Sequence, residues 1–149
     1  MSFTPNANGP RGFDVAKARD GTPQRSADAR ILGTYATKLY VGKPVTKVGG
    51  YLQIMAAATT EIAGVFDGCQ YEAVNGDVVF SPYWPAPGAV KTGTVPKANI
   101  YSADGLFLIH SNTTLVQADV GKYADLVAFV GGSDTTGRSA IQLDGANID

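Results

Sequence analysis

Cys69-Gln70-Tyr71-Glu72-Ala73-Val74-Asn75-Gly76-Asp77-Val78-Val79-Phe80-Ser81 is the stretch that decides the class of fold. Asn75 and Gly76 both tolerate positive φ and suit the two-residue type I′ turn that joins antiparallel strands. A loop of that length sets Ala73 opposite Val78 and Tyr71 opposite Phe80. Cys69, Tyr71, Ala73, Val78 and Phe80 then line one face, and Gln70, Glu72, Asp77 and Ser81 line the other. This is the alternation of a half-buried antiparallel pair.

Short apolar runs recur on both sides of this hairpin. Leu39-Tyr40-Val41 ends at Gly42-Lys43-Pro44, and Val45 to Val48 stops at Gly49-Gly50. Tyr51-Leu52-Gln53-Ile54-Met55 reads as a strand, while the following Ala56-Ala57-Ala58 suits a helix equally. Further strands are expected at Ala98 to Tyr101, Leu106 to Ile109, Asp125 to Val130 and Ser139 to Leu143, separated by Asp104-Gly105, Gly131-Gly132 and Gly137. Thr114 with Gln117 resembles a capping box and Gly121 supplies a stop, which predicts one short helical turn over 115–120. Ser81 to Gly88 carries three prolines, which withhold donors, so a stiff surface loop is expected there. The expected fold is all-β, an antiparallel β-barrel or sandwich of about eight to ten short strands with one short helical turn. An extended N-terminal arm over 1–30 precedes a single β-rich body domain over 31–149.

With 149 residues the chain suits one domain. Charged residues make up 17%, below the roughly 25% of an average soluble protein, and a surface this poor in charge is often covered. A net charge of −1 creates no field that would draw the protein to nucleic acid or to an anionic membrane, so neither is an expected partner. The single cysteine, Cys69, sits among apolar neighbours and is expected to be buried. No run approaches the ~20 apolar residues of a membrane span, and the first residues lack the layout of a signal peptide. The expectation is a protein made and used without export.

Residues 1–30 differ from the rest. Met1, Phe3, Phe13 and Val15 are their only sizeable apolar groups. Arg11, Lys17, Arg19, Arg25 and Arg30 outweigh Asp14, Asp20 and Asp28, a balance of +2 that leaves −3 for the body. Fixing some thirty residues of backbone costs on the order of 30–60 kcal/mol, more than four apolar side chains offset. An ordered arm therefore has to lie along a larger surface, either this domain or neighbouring chains; the alternative is a flexible tail.

Chemistry-bearing patterns are scarce. One His and one Cys do not make a metal site, and the Asp-Gly pairs at Asp20, Asp67, Asp104 and Asp144 read as turn formers. No Gly-x-Ser-x-Gly elbow, phosphate loop or dinucleotide fingerprint is present, so no catalytic residue, metal, cofactor or small-molecule substrate is predicted. Glu61 and Glu72 are the carboxylates a spatially assembled pair would draw on. His110 closes an apolar run and reads as a strand-end residue, and the Asn112-Thr113-Thr114 sequon reads as accidental without a secretory route. Tyr83-Trp84 is either an exposed aromatic anchor for a sugar or a partner pocket, or a pair whose Trp84 folds back as a lid on the barrel end.

Several segments together resemble the head decoration, or cement, proteins of tailed bacteriophages. They are Gly33-Thr34-Tyr35-Ala36-Thr37, Gly42-Lys43-Pro44-Val45, Gly64 to Tyr71, Phe80-Ser81-Pro82-Tyr83-Trp84-Pro85, Gln117 to Gly121 and Thr136-Gly137-Arg138-Ser139, spanning 33 to about 144, with a looser likeness at Gly12-Phe13. The resemblance implies a non-enzymatic, β-rich oligomer, commonly a homotrimer, made in the host bacterial cytoplasm and placed on the exterior of the virion. There it would bind the major capsid protein and bridge neighbouring capsid subunits. The family fixes no contact residues, and the physical reading supplies Arg11, Phe13, Arg19, Arg25, Arg30, Tyr83, Trp84 and Arg138 as partner-binding positions. In that picture the body caps a capsid junction and the arm crosses the seam, since thirty extended residues reach on the order of 100 Å. Removing residues 1–30 would then leave a folded body with weakened attachment. A carbohydrate- or receptor-binding virion module and a tail or neck structural protein are the alternatives.

Overall fold

The structure, a computed structural model of the chain, describes residues 10–55, 61–85 and 87–149. Among these residues twelve strands follow in chain order: β1 (Asp14–Lys17), β2 (Ser26–Arg30), β3 (Leu39–Tyr40), β4 (Pro44–Val48), β5 (Tyr51–Ile54), β6 (Gly64–Glu72), β7 (Val78–Ser81), β8 (Tyr83–Trp84), β9 (Lys97–Ser102), β10 (Leu106–Leu108), β11 (Ala124–Val127) and β12 (Gln142–Ile148). Two 3-10 turns, Pro87–Ala89 and Gln117–Asp119, are the helical pieces among the described residues. The chain is all-β, and its antiparallel sheets pack in a sandwich-like arrangement with no closed barrel.

β6 is the spine of the main sheet, whose order is β2-β9-β6-β4-β5 with β7 added to β6. Its first residues pair with β4, its last four with β7, and its other edge with β9. β2 and β5, at the two ends of the order, approach each other without pairing, so the sheet curls around its inner face. Ile31, Leu39, Val45, Leu52, Phe66 and Trp84 fill that interior with no exposed surface. Pairing of β6 with β9 breaks between Phe66 and Cys69, where Gly68 adopts φ 111°, a conformation a side chain would strain.

The hairpin that sets the class is present, in a different register. Ala73 N–H donates to the Asp77 carbonyl at 2.8 Å and Gly76 N–H to the Ala73 carbonyl at 2.9 Å, so the loop holds three residues, Val74 to Gly76. Gly76 has φ 91°, whereas Asn75 is not in the positive-φ region that a type I′ turn requires of both residues. The Asn75 side chain instead accepts from Asp77 N–H at 3.1 Å. One extra loop residue moves every pairing by one: Gln70 faces Phe80, Tyr71 faces Val79 and Cys69 faces Ser81. Phe80 therefore leaves the core face and stands 78% exposed.

Two other local expectations are corrected. The Ser81 to Gly88 stretch is not a surface loop, because Ser81 ends β7 and β8 pairs with β3 through Leu39↔Trp84 and Tyr40↔Tyr83. Pro82 and Pro85 flank the two-residue strand β8 and interrupt no pairing within it. The expected helical turn falls at Gln117–Asp119, capped by the Asp119 carboxylate, which accepts from Val116 N–H at 2.9 Å, and not by Thr114 with Gln117. The strand expected over 125–130 stops at Val127, since Ala128 turns to φ 61°. Ala56 to Ala58 lies outside the described residues.

Residues 10–30 are part of the body. β2 pairs with β9 from Ser26↔Tyr101 to Arg30↔Lys97, and the Ile31 N–H extends the ladder to the Pro96 carbonyl at 3.1 Å. β1 pairs with β10, and Phe13 packs edge-on against Phe107 with ring centroids 5.8 Å apart. A Cβ at Gly12 would meet the Gly42 carbonyl, so the chain passes there only as glycine. Of the two surfaces open to an ordered arm, residues 10–30 use their own domain, and their ladder bonds offset ordering without a host. The boundary expected after residue 30 thus falls at the end of a sheet strand, and residues 1–9 lie outside the described residues. Deleting residues 1–30 strips β2 from buried Ala98 and Ile100. The expected result is loss of the cooperative transition in urea unfolding followed by circular dichroism; a truncated chain with an unchanged midpoint would show that the strand is dispensable.

Candidate functional site

Trp84 is neither exposed nor an anchor. It has no exposed surface, its Nε1 donates to the Tyr35 carbonyl at 2.8 Å, and Tyr71 meets its ring edge-on at 6.0 Å between centroids. Successive residues of β8 point to opposite sides, so Trp84 enters the core while Tyr83 stays half-buried, stacked on Tyr40 at 5.7 Å. Phe13 is half-buried against Phe107. Arg138 is an internal tie, its guanidinium paired with the Asp14 carboxylate so that the C-terminal segment holds β1. Arg11, Arg19, Arg25 and Arg30 are exposed and make no ion pair among the described residues. Arg25 precedes β2 and Arg30 ends it, roughly 16 Å apart along an extended strand, so these two do not form one cluster.

Tyr40, Lys43 and Asp134 join the body to the segment around 131–139. Lys43 is 1% exposed, donates to the Gly131 carbonyl at 3.1 Å, and lies 5.3 Å from the centre of the Tyr40 ring. Burial pushes its amine down to about 8. Tyr40 donates to Asp134 at 2.7 Å, and burial followed by that carboxylate pushes the phenol up to about 12. Lys38 closes the group with a 2.5 Å ion pair to Asp134. Val41 N–H donates to the Gly137 carbonyl and Ser139 N–H to the Val41 carbonyl, which stitches the same two segments. Cys69 is buried, and desolvation pushes its thiol up to about 12, the opposite of what a reactive thiolate needs. No group of three His, Cys, Asp or Glu side chains suited to a metal ion occurs among the described residues, and no described helix is long and apolar enough to cross a membrane.

The outward face of the main sheet carries what the sequence reading missed. Arg30 faces Lys97, Lys97 faces Gln70 and Gln70 faces Phe80, one continuous row across β2, β9, β6 and β7. The adjacent row, Ala29, Ala98 and Cys69, is buried on the opposite face. Only the true hairpin register places Phe80 at the end of this row. A second exposed region follows Ile100, beyond which no residue joins the main core cluster. Leu106, Leu108, Leu115, Val116, Val120, Tyr123 and Val130 are all exposed there, on or near the two-stranded ribbons β1–β10 and β11–β12.

No protein-family model matches the sequence, and no curated protein or solved structure is significantly similar to it.

The buried amine has a pH signature. Below about pH 8 Lys43 is charged in both folded and unfolded chains, and the cost of burying it is fully present. From there to the ordinary lysine value of 10.5 the native chain has released the proton while the unfolded chain still binds it, so stability rises with pH. Relative to Lys43→Met, in which this titration is absent, the unfolding free energy of the wild type should gain on the order of 3 kcal/mol across that window. Chemical denaturation at stepped pH measures it; a constant difference between the two proteins would mean that the amine is solvated.

Proposed function

We propose that this chain is a structural virion protein that binds the exterior of a phage capsid, as a homotrimer, and stabilises it by bridging neighbouring capsid subunits. The observation that supports this reading is the number of exposed apolar side chains after Ile100. Two-stranded ribbons are marginal on their own, and leucine, valine and tyrosine side chains shown to solvent there gain by being covered. The resemblance of residues 33–144 to decoration proteins supplies the kind of partner. The rigid curled sheet, with its N-terminal strands docked in place, suits a part that resists deformation of a lattice. Bridging then rests on the body and its exposed apolar side chains, since residues 10–30 pair within the body. A glycan-stacking role for Trp84 has no geometric support, because the indole is enclosed.

Reconstitution on capsids of the encoding phage, purified without this protein, tests the reading. Added protein should bind saturably and raise the temperature at which capsids release DNA. The double variant Leu108→Glu with Val120→Glu, both at exposed positions, should fold normally yet bind at least about tenfold more weakly, as expected for the loss of buried apolar anchors. Capsids that ignore the wild-type protein would refute the assignment.

A further inference from the structure

We infer that the outward row Arg30-Lys97-Gln70-Phe80 is a docking strip for a short, extended protein segment that carries carboxylates at one end and an apolar side chain at the other. The inference goes beyond the capsid reading, since it is drawn from this face alone and is tested on the free protein.

Arg30 and Lys97 stand directly opposite each other on neighbouring strands, both exposed. Like charges in that position repel, and neither has an ion-pair partner among the described residues. The nearby Glu72 carboxylate is already held by Lys91 at 2.5 Å. The face thus presents two adjacent cations whose repulsion a carboxylate would relieve, and Arg30 can receive it in two-point fashion.

At the other end Phe80 is 78% exposed, on a hairpin that also shows Val78 to solvent. Beside it lies a shallow, open depression of about 290 Å³, bordered by Asp67, Phe80, Ser81, Pro82 and Asn99, where the bulge at Asp67–Gly68 interrupts the β6–β9 pairing. An exposed aromatic ring next to a depression is the usual form of an anchoring position. Between the two ends, the Gln70 amide offers both a donor and an acceptor to a peptide backbone.

The dimensions select the occupant. Four strands at ~4.8 Å spacing put roughly 14 Å between Arg30 and Phe80, which four or five extended residues span. A long polyanion fits less well. Exposed Asp28 faces Asn99 one row away from the cations, and the chain carries net charge −1, so a nucleic acid would meet negative charge beyond the row. A short acidic segment ending in a bulky apolar residue meets only the complementary part of the face.

The test is a titration of the full-length, isotope-labelled protein by NMR with the peptide acetyl-Asp-Glu-Gly-Ser-Leu-amide. Lysine-for-acid and oligothymidylate versions serve as competitors of other chemistry. The amides of Arg30, Lys97, Gln70 and Phe80 should shift saturably with the acidic peptide. Lys97→Glu and Phe80→Ala, both at exposed sites and both retaining the wild-type unfolding midpoint, should each weaken binding about tenfold. The inference is overturned if shifts fall elsewhere or are absent, if the basic peptide or the oligonucleotide binds as well, or if both variants bind like the wild type. Capsid attachment is not read in this assay, so either idea can fail without the other.

Discussion

Whether Phe80 stands on the outward face depends on how the β6–β7 hairpin closes. Cys69 and Tyr71 face Trp84 and the core, and because Ala73 pairs with Asp77 around a three-residue loop, Phe80 falls opposite Gln70 and turns to solvent with it. A loop one residue shorter would flip β7 alone and place a phenylalanine where Val79 now packs. Gly76, at φ 91°, and the Asn75 side chain bonded to Asp77 N–H hold the longer loop. Since β6 is shared with β4 and β9, its facing is transmitted across the sheet, and the row ending in Phe80 inherits Lys97 and Arg30 from the same register.

The two ends of the molecule differ in how they are held. Around Trp84 the interior is closed on all sides, with the indole N–H satisfied by Tyr35 and the aromatic rings of Tyr71, Tyr83 and Tyr40 leading outwards to Lys38 and Asp134. Beyond Ile100 the chain is held chiefly by backbone ladders and turns. Asn112 pairs with Asp144 and Gly145, Tyr123 exchanges bonds with Asp149, and Ser139 anchors on Val41. Hydrogen bonds of this kind fix shape but leave apolar side chains uncovered, which is why this part of the chain is the natural place for other chains to add.

Much of the architecture was legible because glycine pairs bracket the strands. Val45 to Val48 ending at Gly49-Gly50 and the run from Tyr51 are found as β4 and β5, and Cys69 is buried as its neighbours suggested. The errors have specific physical sources. Asn75-Gly76 is compatible with two loop lengths, and the longer one is held by Gly76 at φ 91° and by the Asn75 side chain accepting from Asp77 N–H, a pairing the dipeptide alone does not reveal. Three prolines suggested a loop, yet a strand of two residues fits between Pro82 and Pro85. The polar composition of residues 10–30 signalled an arm, although an edge strand needs only its backbone, and Ser26 to Arg30 supplies that with one small side chain, Ala29, turned inwards. Of the proposed contact residues, Arg30 remains on the outward strip, Trp84 is enclosed and Arg138 pairs with Asp14 within the chain, while Lys97 and Phe80 became visible only through the cross-strand register.

That register is directly measurable. In an antiparallel pair, opposed residues that do not exchange hydrogen bonds bring their Cα atoms to about 4.5 Å, close enough for a strong nuclear Overhauser effect between α protons. With Ala73 bonded to Asp77, such contacts are expected for Gln70 with Phe80 and for Glu72 with Val78. Strong α-proton contacts of Tyr71 with Phe80 and of Ala73 with Val78 would instead establish the two-residue turn, return Phe80 to the core face and remove the outward strip.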